Sequence, residues 1–128
     1  MNNRPHANEL LHIARETFVA QIIPALPENL RYTALMVENA MAIARREMEA
    51  GDAPARAEFK RLCTLLSESH HDPSAAELHT AIADCNRRLA REIRAGRYDS
   101  DNAALREHLR RTTEEKLAVS NPKALKPT

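Results

Sequence analysis

This chain has few aromatic residues and few glycines, and its net charge is small. The 128 residues include two phenylalanines, two tyrosines, two glycines and no tryptophan. Single-stranded nucleic acids bind to proteins by stacking on aromatic side chains, and so few rings do not make such a surface. The formal net charge is +1, so no overall field attracts nucleic acid or an acidic membrane. We therefore expect no nucleic-acid partner and no membrane partner.

Long apolar runs are missing as well. No stretch approaches the roughly 20 apolar residues that span a bilayer. The polar N-terminus MNNRPHANEL does not match a secretory signal peptide. Cys63 and Cys85 do not form a CxxC pattern, and we interpret both as small buried residues of a protein in a reducing compartment. The sequence therefore predicts a cytoplasmic location.

The two glycines mark the ends of helical patterns. Gly51 closes a run from Glu28 to Ala50, and Gly96 closes a run from about Ser74 to Ala95, as expected of residues just past a helix C-terminus. Ser74 and Glu77 have the spacing of a capping box. Apolar stripes at helical spacing follow in helices three and four: Phe59, Leu62, Cys63 and Leu66, then Leu78, Ile82, Cys85, Leu89 and Ile93.

No segment alternates as a strand would, and no internal repeat occurs. The pattern predicts an all-α fold, an antiparallel helical bundle of four main helices plus a shorter fifth helix and an extended C-terminal tail. Pro24 and Pro27 end the first helix and leave only a short linker, so helices one and two are expected to be antiparallel neighbours. We expect one domain over residues 1–119, followed by the tail at 120–128.

The second helix is the most apolar segment. Between Thr33 and Ala44, the polar residues are Thr33, Glu38 and Asn39. A helix this apolar is expected to be buried on several sides, either at the centre of the bundle or as half of a dimer interface. Glu38 and Asn39 diverge by about 100°, so at least one should be buried. Asn39 either makes a structural hydrogen bond that fixes helix register or, with Glu38, lines a ligand pocket between helices.

Helix four carries a basic ridge formed by Arg87, Arg91 and Arg94 at positions i, i+4 and i+7. One interpretation is a solvated face with ion pairs along the helix. The other is a surface for an anionic ligand or an acidic partner, because arginine binds carboxylates and phosphates with two parallel hydrogen bonds.

Two weak candidates for a metal site are present. Glu9 and His12 form an ExxH, which occurs twice in di-iron helical bundles, but no second copy is found here. His70 and His71 lie in the turn between helices three and four, where adjacent histidines are more often solvated than ligating. We therefore expect no metal and no other cofactor.

Motifs of catalysis are absent: the chain contains no GxGxxG, no Walker sequence and no GxSxG. This favours a non-catalytic accessory or interaction protein that forms a homodimer or docks on an enzyme. The alternative is a helical bundle that binds a small acidic ligand of acyl-CoA or nucleotide type. A metal-dependent bundle enzyme is the third possibility.

Three stretches carry a resemblance to a known family: RPHANELLHIARET at 4–17, PALPENLRYTALMVENAMAIARRE at 24–47 and VSNPKAL at 119–125. Together they resemble a family of small bacterial all-helical proteins of unknown function, often encoded beside acyl-CoA dehydrogenases and aminoglycoside-phosphotransferase-like proteins. The resemblance covers most of the chain and brings no active-site residues. It implies a partnership with such an enzyme in acyl-CoA or related catabolism.

Overall fold

The computed structural model describes residues 3–127, and every regular element in this range is helical. The all-α prediction is therefore confirmed. The α-helices are α1 (Ala7–Thr17), α2 (Arg31–Ala50), α3 (Ala53–Leu65), α4 (Ala75–Arg94) and α5 (Ala103–Ser120). Shorter helical segments are a π-helix at Phe18–Ile22 and 3-10 helices at Ile23–Ala25, Glu28–Leu30 and Pro122–Leu125. None of the helices in the described range combines the length and the apolarity that crossing a bilayer requires.

The chain divides into two compact units between Gly51 and Asp52. We call residues 3–51 the α1–α2 unit and residues 52–127 the α3–α5 unit. Gly51 has a φ of +60° with no atom near the position of a Cβ, so the backbone conformation rather than space accounts for glycine there. The single domain expected over residues 1–119 stays a prediction.

The α3–α5 unit has a well-defined apolar core between α3 and α4. Both predicted stripes contribute buried residues to it: Phe59, Leu62, Cys63, Leu66, Leu78, Ile82, Cys85 and Leu89. Ile93, at the end of the second stripe, is 40% exposed and stays outside the core. The predicted capping box opens α4, because the Ser74 backbone N–H and hydroxyl donate to Glu77 Oε2 at 3.2 and 2.9 Å. Gly96, with a φ of +84°, follows the C-terminus of α4.

The prediction of a shorter fifth helix is wrong. α5 spans 18 residues, compared with 11 in α1 and 13 in α3. The Asn102 side chain caps its N-terminus by accepting from Leu105 N at 3.0 Å. Exposed ion pairs, such as those of Arg110 with Glu107 and Glu114, stabilise the helix through a stretch that has few apolar residues. The tail is not fully extended either, since its 3-10 helix packs against α5.

Candidate functional site

The α1–α2 unit leaves most of its large apolar side chains exposed. Within residues 3–51, Ala34 alone is buried. The large apolar side chains with exposed fractions between 42% and 75% are Leu10, Ile13, Val19, Ile22, Leu30, Tyr32, Leu35, Met36, Val37 and Met48. Apolar surface on this scale is rare in monomeric proteins unless it binds something. Within residues 3–51, α2 is therefore not buried on several sides. The dimer interface, the other place predicted for this helix, stays a prediction.

Two of these residues, Tyr32 and Met36, belong to a regular stripe on α2. Tyr32, Met36, Asn39 and Ile43 follow at i, i+4, i+7 and i+11, so they lie within roughly 60° of one another around the helix. Tyr32 is 75% exposed and Met36 is 57% exposed, while Asn39 is exposed and Ile43 half-buried. We call these four residues the α2 stripe. Their spacing is that of the seam between paired helices.

The opposite face of α2 carries the polar contacts to α1. Arg15 donates from Nε to Glu38 Oε1 at 2.7 Å and pairs with the same oxygen through its guanidinium Nη2. Arg45 Nη1 lies 3.0 Å from Nδ1 of His12. Because Glu38 and Arg45 lie on the side of α2 remote from the α2 stripe, α1 does not cover the stripe.

Of the two polar residues predicted to interrupt α2, Glu38 is half-buried and Asn39 is exposed. A cavity of about 500 Å³ within the α1–α2 unit is lined by Glu38 but not by Asn39. Arg15 already neutralises the Glu38 carboxylate. The geometry therefore separates the two residues: Glu38 joins the helices, and Asn39 belongs to the exposed stripe.

The arginines of the predicted ridge on α4 have different surroundings. Arg87 pairs with Asp84 one turn before it. Arg91 and Arg94 are exposed, and neither makes an ion pair with any residue in the range 3–127. The ridge thus offers two free guanidinium groups, at positions i and i+3, which fits a surface that contacts an acidic partner.

Glu9 and His12 each have a role in local structure. Glu9 Oε2 accepts a hydrogen bond from the backbone N–H of His6 at 2.8 Å, which caps the start of α1. The His12 ring contacts Arg45 and lies 3.5 Å from Glu16. These contacts account for both side chains without a ligand.

His70 and His71 contact different residues. His70 Nε2 is 3.0 Å from the Thr64 hydroxyl, whereas the His71 ring stands edge-on to Phe59 with centroids 5.1 Å apart. Across residues 3–127, no three His, Cys, Asp or Glu side chains come together in a way that could hold a metal ion.

The structure also contains a buried histidine that no motif in the sequence marks. His108 on α5 is 4% exposed, and its Nδ1 has no hydrogen-bond partner in the described part of the chain. Burial lowers the pKa of His108, and the charge of Arg61 lowers it further. The other charged groups around it are Glu58, Glu115 and Lys116. One pattern in the sequence does indicate this environment. His108, Thr112 and Glu115 follow at i, i+4 and i+7, which places polar residues on the inner face of α5.

Residues 24–124 match the family model described as Domain of unknown function (DUF6285). The chain belongs to this family. The matched range contains α2, α3, α4 and α5, and with them the α2 stripe, the arginine ridge and His108. No curated protein and no solved structure matches the chain. The family description names no activity.

Proposed function

We propose that this protein is a non-catalytic interaction protein that self-associates through the α2 stripe. The observation that carries the proposal is the contrast within residues 3–51 between one buried residue and ten exposed large apolar side chains. A layer of two helices cannot bury its outer faces without a second layer. A second copy supplies that layer, and two α1–α2 units together provide the helices of a four-helix bundle.

The distribution of charge supports a second copy as the occupant. Residues 1–51 carry five arginines and six glutamates, with no lysine or aspartate, so their formal charge is −1. No member of the α2 stripe is charged. A two-fold symmetric contact brings the same patch together from both copies, and a charged patch would oppose it. Two copies of this face meet with little electrostatic repulsion.

Asn39 has a clear role in such a pair. It occupies a position of the α2 stripe where the other members are Tyr32, Met36 and Ile43. A single asparagine in an apolar seam between helices fixes register and oligomeric state at some cost in stability. This extends the structural interpretation of Asn39 from a contact within one chain to a contact between two.

We further infer that the protein acts as an accessory subunit in the bacterial cytoplasm. The resemblance to a family encoded beside acyl-CoA dehydrogenases and phosphotransferase-like proteins supports an enzyme of one of these types as the partner. The free guanidinium groups of Arg91 and Arg94 suit an acidic patch on that enzyme. Cys63 and Cys85 are free thiols, as expected in a reducing compartment.

Sedimentation velocity over a range of protein concentrations tests self-association directly. The wild-type protein should sediment as a species of twice the 14.4 kDa chain mass. Met36→Glu introduces a charge into the α2 stripe, so it should weaken the dimer by about tenfold or more. Leu109→Glu is the matched control, because Leu109 is similarly exposed, at 49%, but lies on α5. A wild-type protein that stays monomeric throughout, or a Met36→Glu variant that dimerises as well as the control, overturns the proposal.

Co-purification from the source bacterium tests the enzyme partner. A tagged protein should recover an acyl-CoA dehydrogenase or a phosphotransferase-like protein in stoichiometric amount. Recovery should fall when Arg91 and Arg94 are both changed to glutamine, while Arg87→Gln, at a position already paired with Asp84, should leave recovery unchanged. Equal recovery of the enzyme by all variants would show that the arginine ridge does not contribute to the contact.

A further inference from the structure

The α3–α5 unit contains a cleft of about 570 Å³ between α3 and α5. Its lining includes the apolar residues Leu65 and Ala104 and the ring of Tyr98, which belongs to the turn between α4 and α5. This volume lies in the range of small-molecule pockets, roughly 300–1,000 Å³. The size and the apolar part of the lining suit a ligand with a compact apolar body.

Arg61 and Glu115 fix the spacing of the two helices that form the cleft. Arg61 Nη1 and Nη2 donate to the two Glu115 carboxylate oxygens at 2.9 and 2.7 Å, and Nη2 also donates to the Thr112 hydroxyl at 3.1 Å. Both charged side chains are largely buried, with exposed fractions of 20% and 29%. Because the two charges compensate each other, this pair holds the walls together and leaves little charge for a ligand.

His108 lines the same cleft, and its buried Nδ1 has no hydrogen-bond partner in the described part of the chain. Buried ring nitrogens in folded proteins are hydrogen-bonded in the large majority of cases, so an exception calls for an explanation. The contacts within residues 3–127 supply no partner for Nδ1, and the atom itself is buried, so a ligand in the cleft would not account for it.

Besides the Arg61–Glu115 pair, the charged side chains that line the cleft are two cations, Lys60 and Arg111, and one carboxylate, Glu107. The Lys60 ammonium is exposed and has no ion-pair partner in the part of the chain that the structure describes. Arg111 donates from Nε to Glu107 at 2.7 Å, which leaves its terminal nitrogens available. Glu107 also lines the cleft, and its hydrogen bonds from Arg110 and Arg111 lower its pKa to about 2. This carboxylate is therefore ionised at neutral pH and opposes a doubly charged phosphate.

We propose that the cleft between α3 and α5 binds an amphipathic monocarboxylate. Its carboxylate pairs with Lys60 and Arg111, and its apolar body packs against Leu65, Tyr98 and Ala104. This site lies wholly within the α3–α5 unit and does not depend on self-association through α2.

Calorimetric titration with decanoate, kept below its micelle concentration, tests the proposal. Decanoate should bind, whereas methyl decanoate, which has no charge, and decylamine, which has the opposite charge, should bind at least about tenfold more weakly. Inorganic phosphate should not compete. Equal binding of the three amphiphiles, competition by phosphate, or no binding of decanoate overturns the proposal.

Variants connect the binding to the cleft. Lys60→Met keeps an unbranched side chain and removes the charge, so it should weaken decanoate binding by about tenfold. Lys123→Met removes a charge outside the cleft lining and should leave binding unchanged. Ala104→Trp occupies the cleft from an exposed position on α5 and should abolish binding with circular dichroism unchanged. Met36→Glu should bind decanoate as the wild type does, which separates this result from that for self-association. Unchanged binding by both Lys60→Met and Ala104→Trp would refute the site.

Discussion

Replacing Leu62 with alanine should destabilise the α3–α5 unit by about 2–5 kcal/mol. Leu62 on α3 has an exposed fraction of 0% and packs in the core with Leu78 and Cys63. The substitution loses the burial of the removed carbons and leaves a cavity that the close-packed neighbours fill only in part. Since a domain is stable by only about 5–15 kcal/mol, the loss is a large fraction of the total.

The tyrosines provide an assay for each unit. The chain contains two tyrosines and no tryptophan, and Tyr32 lies in the α1–α2 unit while Tyr98 lies in the α3–α5 unit. In a Tyr32→Phe background, tyrosine fluorescence during urea titration reports the α3–α5 unit alone. The free energy of unfolding then follows from the midpoint and the slope of the transition.

The matched control is Leu109→Ala, the same substitution at a position that is 49% exposed on α5. Because surface substitutions usually change stability by about 0.5 kcal/mol or less, the Leu109 variant should unfold close to the parent protein. If Leu62→Ala cost no more than Leu109→Ala, the description of the core between α3 and α4 would be incorrect.

Two further predictions concern titratable groups of the α3–α5 unit. The pKa of His108 is lowered from its ordinary value of 6.5, so the unfolded chain takes up the proton first as pH falls. Stability should therefore decrease below about pH 6.5, and His108→Gln should flatten that part of a urea-unfolding profile, whereas His79→Gln, at an exposed position, should not. Burial also raises the pKa of the Cys63 and Cys85 thiols, so both should react with a disulfide reagent at neutral pH at least about tenfold more slowly in the native than in the denatured protein. Equal rates in the two states would contradict the burial of these thiols.

The features predicted correctly from the sequence depend on local rules. Gly51 and Gly96 follow helix ends because left-handed backbone favours glycine, and Ser74 with Glu77 caps α4 through contacts three residues apart. The stripes of α3 and α4 were readable because residues at helical spacing share a face, and the partner face lies in the same chain.

The environment of α2 was not predictable in this way. An apolar helix needs a partner that covers it, but its sequence does not say whether that partner belongs to the same molecule. A helix covered by its own chain and a helix covered by a second copy have the same apolar pattern. His108 was missed for a related reason. A histidine among the charged residues of α5 resembles a surface residue, and its burial depends on α3, which is distant in sequence.

Because residues 3–51 lack a core of their own, the stability of the α1–α2 unit and that of the α3–α5 unit should depend differently on protein concentration in the cell. The α3–α5 unit carries its own buried residues and keeps them at any dilution. The α1–α2 unit has Ala34 alone, so any binding that covers its apolar side chains stabilises it by mass action. With the self-association proposed for the α2 stripe, this surface would be open to chaperones and proteases at low copy number and covered at high copy number. Under that proposal, the cellular lifetime of the protein should increase with its own concentration.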